Sequence, residues 1–236
     1  MKLDGFEGRV ALVTGAAQGI GRKTAETFAA LGARVAGLDL REPEVDAVLG
    51  VAADVTDQAA VDAAFTQVEA ELGPVELLVL NAGIFVVEPF ATTTLAQWQR
   101  SLDVNLTGPF LCAQRALPHM VAGGYGRVVV VGSSAGINGG KNNCAAYAAS
   151  KAGVMCLAKS IANEYASTGV LANAVAPTLI DTAMMDEQGE GMEKLIPLGR
   201  LGTPEDIADL IAYLSSAHAG YITGEVVDIN GGFLVH

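Results

Sequence analysis

Short apolar runs alternate along the chain with longer segments in which apolar residues recur at helical spacing. The runs cover residues 10–13, 34–38, 77–80, 128–131, 170–175 and 226–229. Helical periodicity predicts helices over residues 20–31, 58–72, 95–117, 147–165 and 204–214, the last with Thr203 as its N-cap. Near-continuous apolar strands separated by helix-length segments are typical of a parallel sheet buried on both faces. We therefore predict an α/β fold with one doubly wound parallel sheet.

The composition is consistent with one domain over residues 1–236, because no composition break or internal repeat divides the chain. A formal net charge of −12 would repel a phosphate backbone, which argues against a nucleic-acid partner. The acidic N-terminus lacks the features of a signal peptide, and no apolar stretch reaches the roughly 18 residues of a membrane span. We expect a cytoplasmic protein without membrane contact.

Cysteine spacing offers no metal site. Cys112, Cys144 and Cys156 are odd in number and show no Cys-x-x-Cys spacing, so the sequence predicts neither a zinc site nor a disulfide framework. Buried free thiols are the simpler interpretation. The chemistry must therefore come from other side chains.

A glycine-rich segment, Thr14-Gly-Ala-Ala-Gln-Gly-Ile-Gly21, directly follows the first predicted strand and precedes the first predicted helix. This is the context of the phosphate-binding turn in Rossmann-type sheets. Glycines permit close backbone approach and tight helix packing, while the helix N-terminus favours a pyrophosphate. The predicted dinucleotide-binding residues of this turn are Gly15, Gln18, Gly19, Ile20 and Gly21.

Asp39 ends the second predicted strand, about twenty residues after the glycine-rich turn, where an acid accepts hydrogen bonds from the adenosine ribose. A 2′-phosphate beside Asp39 would meet a like charge, so we predict NAD over NADP; Arg41, two residues on, keeps NADP open. Asp54 and Val55, which we place at the end of a short third strand, are predicted to hold the adenine edge. A helix N-cap is the alternative role for Asp54.

Tyr147 and Lys151 stand four residues apart on a predicted helix, so both side chains project to one face. A phenol, with a reference pKa near ~10, becomes an effective acid and base near neutrality when a cation beside it lowers that pKa. This spacing predicts a proton-transfer pair. Ser134 lies thirteen residues before Tyr147, and its neighbour Ser133 is interpreted as a backbone-bonded turn residue.

Together these motifs resemble the short-chain dehydrogenase/reductase family, and the resemblance extends over essentially the whole chain. It implies that Tyr147 is the proton donor and acceptor and that Ser134 holds the substrate carbonyl. It also implies that Lys151 lowers the tyrosine pKa and binds the nicotinamide ribose, and that Asn105 anchors a proton-relay water. From residues alone, Asn105 inside a long helix would more simply indicate a local helix distortion.

Two further segments match the family with one departure each. Asn81, Ala82 and Gly83 resemble a turn beside the adenosine, with Leu80 in place of its first asparagine, and we expect Asn81 to stabilise the sheet. The segment from Asn173 to Thr182 resembles one that packs on the nicotinamide, which implies cofactor contacts by Pro177, Ile180 and Thr182. Thr178 replaces the usual glycine, and would be strained if that position needs a positive φ.

Within the family, the resemblance is strongest to 3-oxoacyl thioester reductases. An acidic acyl carrier protein would require a basic rim, however, and residues 120–126 and 163–169 contain no Lys or Arg. A small secondary alcohol, diol or polyol is the alternative substrate, and a dinucleotide-binding sensor without activity is a remote one. The resemblance also implies a homotetramer.

Substrate contacts are predicted in two places. Residues 181–197 have no clean periodicity and are predicted to form a mobile lid. The candidate pocket residues, which combine apolar and amide groups, are Ile84, Phe85, Asn138, Cys144, Met184 and Met185.

Overall fold

The computed structural model describes residues 3–141, 143–183 and 191–235. Its seven strands are β1 Val10–Thr14, β2 Arg34–Asp39, β3 Val48–Ala52, β4 Leu77–Leu80, β5 Gly126–Val131, β6 Val170–Pro177 and β7 Val226–Ile229. All pair in parallel in one sheet of order β3-β2-β1-β4-β5-β6-β7. The predicted α/β doubly wound sheet is therefore confirmed.

The helices are α1 Gly19–Ala30, α2 Gln58–Glu71, α3 Leu95–Leu102, α4 Gly108–Gly123, α5 Ala135–Asn138, α6 Ala145–Tyr165 and α7 Pro204–Ser215. Short 3₁₀ turns cover Ala166–Thr168, Met192–Leu195 and Ala217–Ala219. Thr203 caps α7 as predicted, in a capping box with Asp206.

The helix predicted over residues 95–117 differs from the prediction. It consists of α3 and α4 joined by a π-helical turn, Asp103–Thr107, in which the Gly108 N–H donates to the Asp103 carbonyl. The helical path continues to Gly123, where Gly124 terminates it with φ 66°. A π turn inserts one residue without breaking the apolar pattern, so periodicity alone does not reveal it.

Successive strand residues point to opposite faces of the sheet, and both faces are buried. On one face, Leu12 belongs to a core with Phe65 of α2, and residues of α4 and α6 complete that layer. On the other, Val13 belongs to a core with Phe28 of α1 and Ile211 of α7. This two-sided burial explains why the strands are continuous apolar runs.

The strand order reverses direction at β1, which lies between β2 and β4. In open parallel sheets, the carboxyl ends of the strands beside such a reversal diverge and leave a crevice. The glycine-rich turn after β1 and the segments after β4 and β5 all end at this crevice. In the described part of the chain, no helix combines the length and apolarity that crossing a membrane requires.

Candidate active site

The turn between β1 and α1 is shaped by its glycines. Gly15 and Gly19 take positive φ values of 68° and 55°. A Cβ on Gly21 would lie 2.1 Å from the Gly15 carbonyl oxygen, so no larger residue fits there. Gln18, the N-cap of α1, makes no side-chain cap, and the first turn of α1 has no acidic residue. The positive end of α1 therefore faces the cleft without an acidic neighbour from its own first turn, which suits a pyrophosphate.

Asp39 is held in place by the backbone on both sides. Its Oδ2 accepts from the Ala17 N–H at 3.0 Å and its Oδ1 accepts from the Leu40 N–H at 2.7 Å. The carboxylate thus joins the end of β2 to the glycine-rich turn and lines the cleft. Arg41 is exposed and is not part of the cleft wall.

Asp54 lines the cleft beyond the end of β3, since the strand stops at Ala52 rather than at Asp54 as predicted. Its Oδ1 accepts from the Thr56 N–H at 2.9 Å and from the Thr56 hydroxyl at 2.7 Å. The backbone hydrogen bond from Thr56 is the largest of the effects that lower the pKa of Asp54. The alternative N-cap role belongs instead to Asp57, which accepts from two N–H groups of α2.

Asn81 links β4 to the glycine-rich turn. Its Nδ2 donates to the carbonyls of Thr14, at 3.0 Å, and Gly15, at 3.1 Å. The Thr14 hydroxyl accepts from the N–H groups of Asn81 and Ala82. The stabilising role expected for Asn81 is therefore present, and Leu80 in place of an asparagine does not remove it. Thr14, whose hydroxyl makes these bonds, is not among the site residues predicted from the sequence.

The π turn positions Asn105, which is 1% exposed. Its Oδ1 accepts from the Ile84 N–H at 2.8 Å, and its Nδ2 donates to the Ile84 carbonyl at 3.0 Å and to the Ser150 hydroxyl at 2.9 Å. Ser150 in turn donates to the Tyr147 carbonyl at 2.7 Å. Asn105 is thus both a site of helix distortion and a connection from the segment after β4 to the helix that carries Tyr147.

Lys151 is buried below Tyr147. Its ammonium donates to the Val131 carbonyl at 2.7 Å and lies 5.8 Å from the centroid of the Tyr147 ring. A Cβ on Gly83 would lie 3.1 Å from Asn105 Oδ1 and 3.3 Å from Lys151 Nζ, so glycine at this position lets the three elements meet. Burial lowers the pKa of Lys151 to about 8.

Tyr147 differs from the expectation in its pKa. Burial in the cleft wall is the largest effect and raises the pKa; a hydrogen bond with the Ser133 side chain opposes this by favouring the phenolate. Lys151 bonds to the Val131 carbonyl instead of the phenol, and the expected lowering by Lys151 is not found in this geometry. The physical reason is that removal of the phenolate from water outweighs the opposing hydrogen bond.

Two adjacent serines, Ser133 and Ser134, both line this end of the cleft. The Ser133 hydroxyl accepts from the Ala135 N–H at 3.1 Å, as expected for a turn residue, and the Ser133 side chain opposes the rise in the pKa of Tyr147. The Ser134 N–H donates to the Pro177 carbonyl at 3.0 Å. The role of the Ser134 hydroxyl in holding the substrate carbonyl remains a prediction.

The end of β6 and the segment after it line the cleft, with Pro177, Ile180 and Thr182 in its wall. Leu179, not Thr178, takes the positive φ, 50°, so the expected strain does not fall on the threonine. The hydroxyl of Thr178 is buried and has no hydrogen-bond partner among the described residues. Thr182 reaches the glycine-rich turn: a Cβ on Gly19 would lie 3.3 Å from its methyl group.

One cleft of about 710 Å³ connects these groups, running from Asp39 and Asp54 to Tyr147 and Phe233. Of the predicted pocket residues, those in its wall are Ile84, Phe85, Asn138 and Cys144. Met184 and Met185, and with them residues 184–190 of the predicted lid, lie outside the described residues. Met192 and Leu195, from the described part of that segment, line the cleft. The lid remains a prediction.

The cleft fits a nicotinamide dinucleotide. It provides a helix N-terminus without a side-chain cap, beside glycines whose surroundings leave no room for a Cβ atom. It also provides the carboxylate of Asp39, which is held by the Ala17 N–H. At its other end lie a phenol and an ammonium. Among the described residues there is no group of three or more His, Cys, Asp or Glu side chains that could hold a metal ion.

The chain belongs to the short-chain dehydrogenase/reductase family: residues 15–234 match the family model described as enoyl-(acyl carrier protein) reductase. It is therefore an oxidoreductase that acts on a CH–OH group or the corresponding carbonyl.

Several similar proteins cover almost the whole chain. The 3-oxoacyl-[acyl-carrier-protein] reductase FabG of Escherichia coli (strain K12) is 39% identical, covering 96% of this chain and 98% of its own. The 3-oxoacyl-[acyl-carrier-protein] reductase MabA of Mycobacterium tuberculosis (strain ATCC 25618 / H37Rv) is 43% identical, covering 96% of this chain and 93% of its own. The 2-dehydro-3-deoxy-L-rhamnonate dehydrogenase (NAD(+)) of Sphingomonas sp. (strain SKA58) is 38% identical, with 96% of each chain covered. The crystal structure of gox2181 superposes with a TM-score of 0.92 at 35% identity, covering 96% of both chains.

Proposed function

We propose that this protein interconverts a ketone and a secondary alcohol with NAD(H), with Tyr147 as the acid and base and a 3-oxoacyl thioester as the first substrate to consider. The observation that supports this most directly is the meeting of Tyr147, Lys151, Asn105 and a serine hydroxyl at one end of a dinucleotide-sized cleft. The relatives named as 3-oxoacyl reductases support the substrate.

Each residue has a defined part in this reaction. The bound nicotinamide supplies or accepts the hydride. In the direction of reduction, Tyr147 gives its phenolic proton to the carbonyl oxygen while the carbonyl carbon gains hydride, so negative charge does not accumulate on that oxygen. Ser134, which lines the cleft, donates a hydrogen bond to the same oxygen. Lys151 would contact the nicotinamide ribose of the bound cofactor.

We propose NAD as the cofactor because of how Asp39 is held. With one carboxylate oxygen on Ala17 and the other on Leu40, this side chain cannot turn away to admit a 2′-phosphate without losing two hydrogen bonds. Its negative charge would repel that phosphate. The relative from Sphingomonas, which is named as an NAD(+) dehydrogenase, also supports NAD as the cofactor.

A small hydroxy compound is the second candidate substrate. The absence of Lys and Arg from residues 120–126 and 163–169, together with a net charge of −12, disfavours docking of an acidic carrier protein. The Sphingomonas relative is named for a small sugar acid. We therefore include sugar acids with secondary alcohols, diols and polyols as alternatives.

The test is an initial-rate assay with the purified protein. Acetoacetyl-CoA is offered with NADH and with NADPH in parallel, and the alternatives are offered with NAD⁺. Fast oxidation of NADH by acetoacetyl-CoA supports the thioester substrate and the role of Asp39. Faster oxidation of NADPH would contradict the cofactor choice. Turnover of the small alcohols alone would replace the thioester by the second candidate.

We also propose a homotetramer in the cytoplasm. The resemblance implies subunit contacts through α6, which carries Tyr147, and through residues 231–236, and Val235 in the latter segment is 84% exposed. Two further large apolar side chains are exposed elsewhere, Phe110 on α4 at 44% and Tyr221 at 103%. Light scattering coupled to size-exclusion chromatography checks the mass, and a monomeric mass would contradict the proposal.

A further inference from the structure

The substrate end of the cleft has an unusual charge. Among the described residues of the cleft wall, the carboxylates are Asp39 and Asp54, which both lie toward the adenosine end. Of the cations, Arg100 acts on Asp54, and Lys151 is buried under the catalytic tyrosine. Lys141 is the remaining cation of the described wall. The chain has 26 acidic and 14 basic residues, yet Lys141 has no acidic partner among the described residues at the substrate end of the cleft.

The backbone of Lys141 is fixed against the start of the catalytic helix. Its carbonyl accepts a hydrogen bond from the Cys144 thiol at 3.0 Å. A Cβ on Gly140 would lie 2.5 Å from the Cys144 sulfur, so the loop packs closely on α6. Cys144 precedes Tyr147 by three residues and affects its pKa electrostatically. Lys141 is therefore anchored near the reacting end of the cleft.

The ammonium of Lys141 lies over an aromatic ring of the same cleft. Its Nζ is 5.4 Å from the centroid of Phe233. The Phe233 N–H donates to the Asn230 carbonyl at 3.0 Å, and the Asn230 amide donates to the Leu234 carbonyl at 3.0 Å, which holds this terminal segment in place. At such a distance an exposed cation–π contact is weak, and it leaves the charge available to an anion.

No described salt bridge includes Lys141. The first turn of α6, against which its loop packs, also carries no acidic residue. The overall negative charge of the protein would repel an anionic substrate from the cleft. A single cation at the substrate end offsets this repulsion locally and orients one negatively charged group.

We propose that Lys141 and Phe233 form a subsite for a carboxylate on the substrate, so that the protein prefers short oxo acids and hydroxy acids over neutral ketones and alcohols of the same size. This inference rests on the proposed function and favours the acids among its second group of candidate substrates over the thioester. A carboxylate needs one cationic partner, whereas the described wall offers no second cation beside Lys141 for a phosphate. The Phe233 ring would pack on the aliphatic part of the substrate.

The turnover experiment compares matched acids and esters. Reduction of 3-oxobutanoate, 4-oxopentanoate and 5-oxohexanoate by NADH is measured beside their methyl esters for the wild type, Lys141→Met and Lys141→Arg. Lys159→Met, which removes an exposed charge of α6 outside the cleft, is the control. The acid-to-ester ratio of kcat/KM is expected to fall by about tenfold in Lys141→Met, to recover in Lys141→Arg and to stay unchanged in Lys159→Met.

A binding measurement keeps the inference independent of turnover. Thermal unfolding with NADH present is followed while pentanoate or its neutral analogue pentanamide is added. Greater stabilisation by pentanoate, lost in Lys141→Met and kept in Lys159→Met, supports the subsite. Equal effects of the two ligands, or an unchanged preference in Lys141→Met, overturn it. Absence of turnover with these ketones and with acetoacetyl-CoA contradicts the proposed function instead, while this measurement still decides the subsite.

Discussion

The ring of Phe85 meets the ring of Tyr147 edge to face, with centroids 4.8 Å apart and planes inclined by 87°. Phe85 belongs to the segment after β4, which Asn105 also holds through Ile84. The Tyr147 ring is thus confined on one side by an aromatic neighbour. Aromatic contacts of this kind stabilise by about 0.5–1.5 kcal/mol and restrict the ring.

Phe85→Leu is expected to shift the pH dependence of the reaction. Burial raises the pKa of Tyr147, and loss of the Phe85 ring admits water and reduces that effect. Ketone reduction requires the protonated phenol, so its rate falls as the pH rises through the Tyr147 pKa. In Phe85→Leu this fall should occur at lower pH. Profiles of kcat/KM against pH, with the exposed Phe90→Leu as control, check it. Superimposable profiles would argue against Phe85 acting on the phenol.

The two adjacent serines make a matched pair. Ser134→Ala removes the hydroxyl that we propose to hold the substrate carbonyl, and we expect kcat to fall by about 10²-fold or more, as for loss of a transition-state donor. Ser133→Ala should have a smaller effect, because the Ser133 hydroxyl accepts from the Ala135 N–H in the turn. Steady-state kinetics of both variants decide the assignment. A larger loss in Ser133→Ala would assign the carbonyl-holding role to Ser133 instead.

Tyr147→Phe should retain the cofactor and lose turnover. The phenol gives the proton, whereas the residues predicted to bind the pyrophosphate and the adenosine ribose line the rest of the cleft. A loss of about 10²–10⁴-fold in kcat is expected for removal of a general acid. NADH titration by fluorescence should give an affinity near that of the wild type. Substantial remaining activity would exclude Tyr147 as the acid and base.

Asp39→Ala should reduce the preference for NADH over NADPH by about tenfold or more, since a charge that repels the 2′-phosphate is removed. NADH affinity should also decrease, because the bond to the Ala17 N–H is lost. The exposed Asp46→Ala removes the same charge outside the cleft and serves as control. The measurement is kcat/KM for each cofactor. If the ratio is the same in all three proteins, a group other than Asp39 reads the ribose.

Gly21→Ala is expected to weaken both the fold and cofactor binding. The Cβ of the alanine would overlap the Gly15 carbonyl, and such overpacking typically lowers the free energy of unfolding by about 1–3 kcal/mol. Gly123→Ala, where a Cβ meets nothing within 4 Å, should leave NADH binding unchanged. Thermal unfolding and NADH titration compare the two variants. Equal melting temperatures and equal NADH affinities of the two variants would mean that the glycine-rich turn can accommodate a Cβ atom at Gly21.

The sequence by itself determined the parallel sheet, because strands buried on both faces must be continuously apolar and the connecting helices must show their own period. It also placed Gly15, Gly21 and Asp39 at a dinucleotide cleft, since the order strand, glycine turn, helix and acid follows from local geometry. The Tyr147 and Lys151 pair followed from helical spacing alone.

Only the tertiary structure decided which groups meet across elements. The fold of the loop between β5 and α6 places both Ser133 and Ser134 in the cleft wall, which a count of residues cannot show. The π turn at Asn105 is fixed by its bonds to Ile84 and Ser150, which lie far away in the chain. The pKa values of Tyr147 and Lys151 depend on burial, and Lys141 reaches Phe233 only because the C-terminal segment folds back over the cleft. Such contacts result from packing between distant segments, which local sequence patterns do not contain.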